Sequence, residues 1–171
     1  MKFSIAISSL VAAVSAVDLY FHSNNDCGGS GVICRDANPN WCCSGTGRSV
    51  AVRGIPSGWA LQCRGYSGAG CSTLMTISGN NGNPWICNRS NGFQYTGVGY
   101  NFVGRKRDES DPEYDDSNCQ RADVLVLADG TEYDLAGLEE DVYQQFVEIG
   151  LNATGPADLP GDLQTLLISK E

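Results

Sequence analysis

Histidine is nearly absent from this 171-residue chain, in which His22 is the only one. A Ser-His-Asp triad would depend entirely on that residue, and no nucleophile-elbow motif lies near it. The G-x-x-x-x-G-K motif that binds phosphates is also missing. Acidic residues could form an acid–base pair, but they cluster in a loop and at a helix start, which favours solvated charge. The sequence therefore predicts a non-enzymatic protein without a cofactor.

Long apolar runs are missing beyond the N-terminus, so no later segment is a candidate for a membrane span. Residues 1–16 have the features of a secretory signal peptide. Lys2 supplies the positive charge, an apolar stretch follows it, and Val14-Ser15-Ala16 provides a small-residue cleavage site. The alternative is an N-terminal strand or helix of the core. We expect a secreted, extracellular protein that is not an integral membrane protein.

C-x-x-C pairs are missing as well, and together with the single histidine this argues against a zinc site or another metal site. Eight cysteines are an even number, which in a secreted chain favours four disulfides of undetermined connectivity. The adjacent Cys42 and Cys43 point in different directions in an extended chain, so they should bond to different partners. Full pairing requires Cys119 to bond into the first part of the chain. The cysteines expected to form disulfides are Cys27, Cys34, Cys42, Cys43, Cys63, Cys71, Cys87 and Cys119.

Basic residues are scarce after residue 107. Residues 18–107 carry eight basic and three acidic side chains, whereas residues 108–171 carry two basic and seventeen acidic ones. Such charge asymmetry is informative about binding partners and not about the fold. The nearest partner for the basic part is the acidic part of the same molecule. Residues 105–118 are expected to form a solvated, self-repelling loop. It starts with Arg105-Lys106-Arg107, which is either a dibasic processing site or a charge-balancing run.

Helical periodicity is missing from residues 17–104. Short apolar runs, such as Leu19-Tyr20-Phe21 and Ser49-Val50-Ala51-Val52, alternate there with turns rich in glycine and asparagine. Short strands separated by frequent turn signals are typical of an all-β sandwich or barrel. The sequence therefore predicts a Cys-rich, disulfide-stabilised β domain over this range.

Residues 119–171 differ in character. Two apolar runs flank Asp129-Gly130, which predicts a β-hairpin. A helix with Gly150 as its stop should follow, because apolar residues recur there at helical spacing and acidic residues occupy the first turn. The apolar residues of this expected stripe are Leu138, Val142, Phe146 and Ile149. We expect an acidic hairpin–helix extension that packs on the β domain, since so few residues make a thin core of their own.

One motif resembles a known family. Ser49-Val50-Ala51-Val52 leads through a tight turn into Trp59-Ala60-Leu61 and then Tyr66-Ser67-Gly68, and residues 18–29 form an aromatic strand followed by a polar, glycine-containing turn. This pattern resembles the Greek-key signature of the βγ-crystallins, in which a glycine permits the hairpin to fold over and a serine hydrogen-bonds the folded turn. The resemblance covers residues 18–104 and implies two Greek keys that form a β-sandwich. An unrelated disulfide-rich sandwich is the alternative.

The resemblance also bears on ligands and function. Many microbial relatives bind calcium just before the serine, but here Ser44-Gly45-Thr46-Gly47-Arg48-Ser49 lacks the oxygen ligands that calcium requires. Secreted relatives without calcium include killer toxins, antifungal proteins and a protease inhibitor. We therefore expect a non-enzymatic, effector- or toxin-like protein of a fungus-like organism. An inhibitor of an extracellular protease or glycosidase, with Asn80–Pro84 as its binding loop, is the first alternative, and a small hydrolase is the second.

Arginines interleave with aromatic residues in the basic part, a combination that suits an anionic or carbohydrate ligand. The alternative is that the aromatic residues belong to the core and the arginines to an ordinary surface. We expect an extracellular target, namely a cell-surface polysaccharide, a membrane or a host protein, and no nucleic acid. The sequons at Asn88 and Asn152 permit N-glycosylation. The candidate binding residues are Arg35, Arg48, Arg53, Arg64, Arg89, Trp41, Trp59, Tyr66 and Trp85.

Overall fold

The structure is a computed structural model that describes residues 17–104, 119–161 and 163–168. The predicted signal peptide, residues 1–16, and the predicted loop with its processing site, residues 105–118, lie outside the described residues. Statements about both remain predictions.

Eleven β-strands and one α-helix make up the described part of the chain, with two short 3-10 helices at Pro156–Asp158 and Leu163–Leu166. No helix in that part is long and apolar enough to span a membrane. The strands are β1 Val17–His22, β2 Gly31–Ala37, β3 Cys42–Gly47, β4 Ser49–Arg53, β5 Leu61–Ser67, β6 Thr73–Gly79, β7 Trp85–Arg89, β8 Tyr95–Phe102, β9 Cys119–Arg121, β10 Val124–Val126 and β11 Glu132–Asp134, and the helix is α1 Glu140–Asn152.

The strands form two sheets. Sheet A has the order β11-β10-β2-β1-β4-β7, and sheet B has the order β6-β5-β8-β3-β9. All pairs are antiparallel except β3 with β9, which run parallel. Strand β4 returns beside β1, and β8 returns beside β5, whereas β3 and β7 each join the sheet opposite to their sequence neighbours. The protein is therefore mostly β, as the sequence predicts.

The core lies between the facing sides of the sheets. In β1, Leu19 and Phe21 are fully buried, and Val50 and Val52 of β4 are their counterparts in the same sheet. Strand residues alternate between the two faces of a sheet, so the even-numbered residues of β1 lie on the outer face of sheet A. This alternation places Tyr20 and its neighbours on the surface considered below.

The acidic extension is built into both sheets. Strand β9 pairs with β3 of sheet B, and the hairpin β10–β11 pairs with β2 of sheet A. The hairpin and the single helix agree with the sequence prediction. The buried hydroxyl of Ser30 donates to the carbonyl of Ala153 at 2.6 Å and accepts the amide of Ala128 at 3.0 Å. Hydrogen bonds therefore join the extension to the β domain as well.

The helix differs from the prediction in which side it buries. Val142, expected in the apolar stripe, is exposed, while Tyr143 and Val147 are buried beside Phe146. Gly150 was expected to end the helix, but it lies inside it and is buried against Leu125. A Cβ at residue 150 would lie 2.3 Å from a Leu125 methyl carbon, so glycine here permits close packing and does not act as a stop.

The cysteines partly follow expectation. Cys27 bonds to Cys87 and Cys34 to Cys43, while Cys42 contacts both Cys71 and Cys119. Cys42 and Cys43 thus have different partners, and Cys119 reaches back to the first part of the chain, as predicted. The prediction of a disulfide at Cys63 is wrong. Its side chain is a free thiol, fully buried in the core between the sheets.

Candidate functional site

Three adjacent strands place an aromatic and cationic surface on the outer side of sheet A. Asp18 of β1 is opposite Arg53 of β4, and Arg53 is opposite Trp85 of β7. Residues paired in this way point to the same face of a sheet. Alternation adds Tyr20 to the same face. We refer to Tyr20, His22, Arg53 and Trp85 as the outer-face site.

Arg53 is fixed by several contacts at the centre of this site. Its guanidinium carbon lies 4.7 Å from the centroid of the Tyr20 ring. One guanidinium nitrogen donates to the carbonyl of Cys27 at 2.9 Å, and the same nitrogen lies 3.3 Å from Nε2 of His22. A cation held over an aromatic face and by hydrogen bonds has little freedom left to lose when a ligand binds.

His22 is buried beneath this guanidinium and stacks on Tyr20, with ring centroids 5.5 Å apart. Burial, reinforced by the positive charge of Arg53, lowers the pKa of His22 to about 4. The imidazole is therefore neutral at physiological pH. A neutral ring can accept the Arg53 hydrogen bond at Nε2, which a protonated ring could not do. The histidine supports the arginine and is not a titrating group near neutral pH.

A shallow cleft of ≈ 330 Å³ opens beside Arg53 and is lined by Cys27, Arg53 and Trp85. The Trp85 side chain is 48% exposed. The Cys27–Cys87 disulfide holds together the two segments that form the cleft, the turn after β1 and strand β7. The cleft thus presents an aromatic face and a guanidinium edge on a covalently fixed base.

Acidic groups border the site. Arg35 forms an ion pair with Glu132 of the extension, and its backbone amide donates to Asp123 at 3.0 Å. Burial raises the pKa of Asp18, although a hydrogen bond from the backbone of Asp36 opposes this effect. Burial and the nearby Asp18 charge raise the pKa of Tyr20. The extension therefore neutralises Arg35, one of the predicted ligand-binding cations. The contacts of Arg53 with Tyr20, His22 and Cys27 come from the β domain itself.

The other predicted binding residues do not gather at one place. Trp59 and Tyr66 pack against other side chains, Trp59 edge-on to Phe102 with centroids 4.8 Å apart, and Tyr66 in the cluster around Cys42. Trp41 is 46% exposed and lies just before β3 in the other sheet. The structure thus brings Arg53 and Trp85 together and separates them from most of the set. Sequence reasoning did not include Tyr20 or His22, although the alternation of β1 signals that they share a face.

Arg48 contributes to a second cleft, of ≈ 490 Å³, where the end of β3 faces helix α1. Its lining includes Gln94 from the β domain and Gln144, Glu148 and Asn152 from the helix. The lining is polar, with amides and one carboxylate near the exposed guanidinium. Arg48, a second predicted binding residue, thus lines the same cleft as Glu148 of the acidic extension.

The loop predicted as an inhibitory element is held from within. Asn80 is buried and donates to the carbonyls of Trp59 at 2.8 Å and Asn83 at 3.1 Å, while its Oδ1 accepts the amide of Leu61 at 3.1 Å. Residues 81–84 are exposed. One buried side chain therefore fixes an exposed loop.

Within the described ranges, the one group of at least three histidine, cysteine or carboxylate side chains with converging ligand atoms is Cys42, Cys71 and Cys119. Their sulfur atoms lie at disulfide-bonding distance, and a structural zinc site takes four ligands. In the segment 44–49, where the sequence argues against calcium, Ser49 is fully buried and its hydroxyl is already engaged in two hydrogen bonds.

The two sequons lie in different surroundings. Asn88 is buried in β7, where its amide donates to the carbonyl of Cys63 at 3.4 Å, so the folded chain does not expose this side chain. Asn152 is exposed at the end of α1. Folding therefore leaves Asn152 as the accessible position of the two, and glycosylation itself stays a prediction.

Residues 18–123 match the model of the ARB_05566_N family, which is described as an N-terminal domain. The chain belongs to this family. The ARB_05566_N region begins at the second residue of β1 and includes β2–β9, so it contains the outer-face site and all eight cysteines. The hairpin β10–β11 and helix α1 follow it. Neither curated proteins nor solved structures gave a significant match to the chain.

Proposed function

We propose that this ARB_05566_N protein is a secreted, non-enzymatic binding protein that acts on a host or competitor, as effectors and killer toxins do. The observation that carries the proposal is the fixed position of Arg53, over Tyr20 and next to the exposed Trp85. The site combines a rigid cation with an accessible aromatic face.

An anionic cell-surface polysaccharide is the target that this chemistry favours. A guanidinium forms paired hydrogen bonds with carboxylate or sulfate groups, and an aromatic face packs on the apolar side of a sugar ring. The shallow cleft suits one sugar unit of a chain better than a globular protein epitope. The disulfides are compatible with an extracellular protein, which agrees with such a target.

The proposed fold is the βγ-crystallin sandwich of two Greek keys. The strand order supports it, because β1–β4 and β5–β8 each return their fourth strand beside the first and send the third to the other sheet. Matching hydroxyls support it as well. Ser49 of β4 donates to the carbonyl of Asn24 at 2.6 Å, and Thr96 of β8 donates to the carbonyl of Gly70 at 3.1 Å. Each hydroxyl holds the folded-over turn of its own key.

The binding proposal is tested with the purified secreted protein and an acidic polysaccharide, polygalacturonate, in a titration calorimeter. Trp85→Ala should abolish measurable binding, and Arg53→Lys should weaken it because the charge remains while the planar fork is lost. Trp41→Ala is the matched control, since this tryptophan is equally exposed on the other sheet. Equal losses from both tryptophan variants, or no binding to any anionic or neutral polysaccharide, would contradict the proposal.

Inhibition of an extracellular protease or glycosidase is the second candidate, and the observation that favours it is the loop pinned by Asn80. Preorganised exposed loops are a general means of binding an enzyme cleft. Asn83→Arg should then abolish inhibition of secreted hydrolases, while Ala157→Arg, at an exposed position elsewhere, should not. A panel of such enzymes that the wild-type protein leaves fully active would exclude this function.

A further inference from the structure

Strand β6 is the outermost strand of sheet B, and one of its two edges is open. In the order of that sheet it pairs with β5 alone. Among the described residues, none forms a backbone hydrogen bond across the other edge of β6. The amides and carbonyls along this edge can therefore pair with a further strand, which is what an edge strand offers.

The side chains of β6 form an exposed apolar patch beside this edge. Leu74, Met75 and Ile77 are between 41% and 49% exposed. A single apolar side chain at the surface is ordinary, but three on one strand form a continuous patch. Leu74 is opposite Tyr66 and Ile77 is opposite Arg64. Since these two β5 residues are two positions apart, Leu74 and Ile77 lie on the same face of sheet B.

The other face of β6 is already packed within the chain. The hydroxyl of Thr76 lies 3.1 Å from the hydroxyl of the buried Tyr95, so Thr76 is on the core side. Ser78 is opposite the buried Cys63 and lies on the core side as well. The large apolar side chains of β6 are therefore on its solvent side, where they add nothing to the core.

The sequence around β6 lacks the charges that usually protect such an edge. Residues 65–88 contain no aspartate, glutamate, lysine, arginine or histidine, and β6 contains no proline. Natural proteins protect exposed edges with lysines, prolines, bulges, very short strands or covering segments. Of these devices β6 has a bulge at Met75, and its length of seven residues is not short. The edge is open to another strand and carries no charge that would repel one.

The distribution of charge indicates which strand can bind there. The chain has a net charge of −9, but β9 of the acidic extension lies at the edge of sheet B opposite to β6. Two copies joined through β6 would separate their β9 strands by nine strand spacings of about 4.8 Å, or roughly 40 Å. The Debye length at physiological ionic strength is about 8 Å, so repulsion between the two extensions is largely screened.

Symmetry favours a second copy of the chain as the partner. An antiparallel pair of identical strands has a two-fold axis, so each copy contributes the same residues to the contact. An alignment of Leu74 opposite Ile77 of the second copy forms two equivalent apolar pairs on the outer face, and such cross-strand pairs stabilise a sheet. A charged partner strand would find no complementary charge on residues 65–88.

We propose that the protein forms a two-fold symmetric dimer by antiparallel pairing of β6 with β6 of a second copy. The pairing joins two copies of sheet B into one sheet of ten strands. Its interface is small, because it consists of two seven-residue strands and their outward apolar side chains. Stable interfaces of standard size bury about 1,200–2,000 Å², so we expect a reversible dimer with a Kd on the order of 10 μM.

Sedimentation equilibrium of the secreted wild-type protein tests this dimer. Over concentrations from about 1 to 200 μM, which bracket the expected Kd, the mass should rise from that of the monomer towards twice that value. Ile77→Lys places a charge on the edge and should raise the Kd by at least roughly tenfold. Val142→Lys is the matched control, since it adds the same charge at an exposed valine of α1, and it should dimerise like the wild-type protein. A wild-type protein that stays monomeric, or equal losses in both variants, would overturn the proposal.

Hydrogen exchange locates the contact in the wild-type protein without any variant. The amides of β6 should exchange more slowly at concentrations at which the dimer prevails than at those at which the monomer does, whereas the amides of β9 should not change. Slow exchange of the whole of β6 at every concentration would mean that the monomer covers this edge itself, and would refute the dimer. So would protection of β6 that arises only when a different protein is added, because that result assigns the edge to another partner.

Discussion

One guanidinium nitrogen of Arg53 lies 3.3 Å from Nε2 of His22, so the only histidine of the chain is held against a permanent cation. Burial is the larger cause of the low pKa of His22, and the Arg53 charge adds to it. Both effects disfavour the protonated ring. His22 therefore helps to hold Arg53 in the outer-face site. Its Nε2 lone pair accepts the Arg53 hydrogen bond and is not free for acid–base chemistry.

This pairing predicts a specific acid sensitivity. The pKa of His22 falls from 6.5 to about 4 on folding, so between these values the unfolded chain binds a proton that the folded chain does not. The free energy of unfolding should therefore decrease as the pH falls through this window, by on the order of 3 kcal/mol in total. Above pH 6.5 the histidine should contribute no pH dependence. Urea unfolding at a series of pH values measures this.

The comparison variant is His22→Gln, which keeps a polar side chain without a titrating ring. Its stability should decrease less between pH 6.5 and 4 than that of the wild-type protein. The raised pKa of Asp18 acts in the opposite direction in both proteins, because the folded chain binds that proton before the unfolded chain does. Identical slopes in the two proteins would show that the histidine is not neutral in the folded state.

Strands with alternating apolar residues were predictable from the sequence, and strands without them were not. The β1 and β4 segments are apolar on one face and match the predicted runs. Strand β3 has the sequence Cys-Cys-Ser-Gly-Thr-Gly, which carries no strand signal of its own. It is a strand because β8 and β9 pair with it and Cys43 is bonded to Cys34. Such structure depends on long-range pairing that local patterns do not contain.

The candidate site was predictable in chemistry but not in position. Arginines next to tryptophans pointed to a binding surface, and Arg53 with Trp85 forms one because β4 and β7 are neighbours. β4 and β7 are neighbours because β7 lies in sheet A, whereas the strands before and after it in sequence, β6 and β8, lie in sheet B. No pattern in the sequence predicts this crossing between the sheets. The even number of cysteines also predicted a disulfide partner for Cys63. The other sulfurs of its core cluster, those of Cys34 and Cys43, are already bonded to each other, so Cys63 stays a thiol.

Ser49→Ala should destabilise the protein. The buried hydroxyl accepts the amide of Cys27 at 2.9 Å and donates to the carbonyl of Asn24 at 2.6 Å, so its loss leaves two backbone groups without a partner. The expected decrease in the free energy of unfolding is about 1–3 kcal/mol. Denaturant unfolding with the disulfides intact measures it. Ser72→Ala is the control, because that hydroxyl bonds at the exposed surface, and an equal effect of both variants would contradict the role of the folded turn.

Gly150→Ala should destabilise the protein although alanine is the better helix former. Inside a helix this exchange usually stabilises by roughly 0.5–1 kcal/mol. Here the new methyl group would lie 2.3 Å from a carbon of the fully buried Leu125, so overpacking of about 1–3 kcal/mol should dominate. Gln145→Ala, at an exposed position of the same helix, should have a small effect. Thermal unfolding of the two variants decides the sign, and a higher melting temperature for Gly150→Ala would show that helix α1 is not seated against β10.

Glu132→Gln tests whether the acidic extension masks the basic domain. Glu132 forms the ion pair with Arg35, a predicted binding residue on the same side as the outer-face site. Removal of the carboxylate frees the guanidinium, and the affinity for polygalacturonate should rise by up to roughly fivefold, the equivalent of one partly exposed ion pair. Glu139→Gln is the matched control, since it removes the same charge from an exposed position at the start of α1. If both variants raise the affinity equally, the gain reflects net charge alone. Release of Arg35 is the cause only if Glu132→Gln exceeds its control at low salt and if Arg35→Gln cancels the difference.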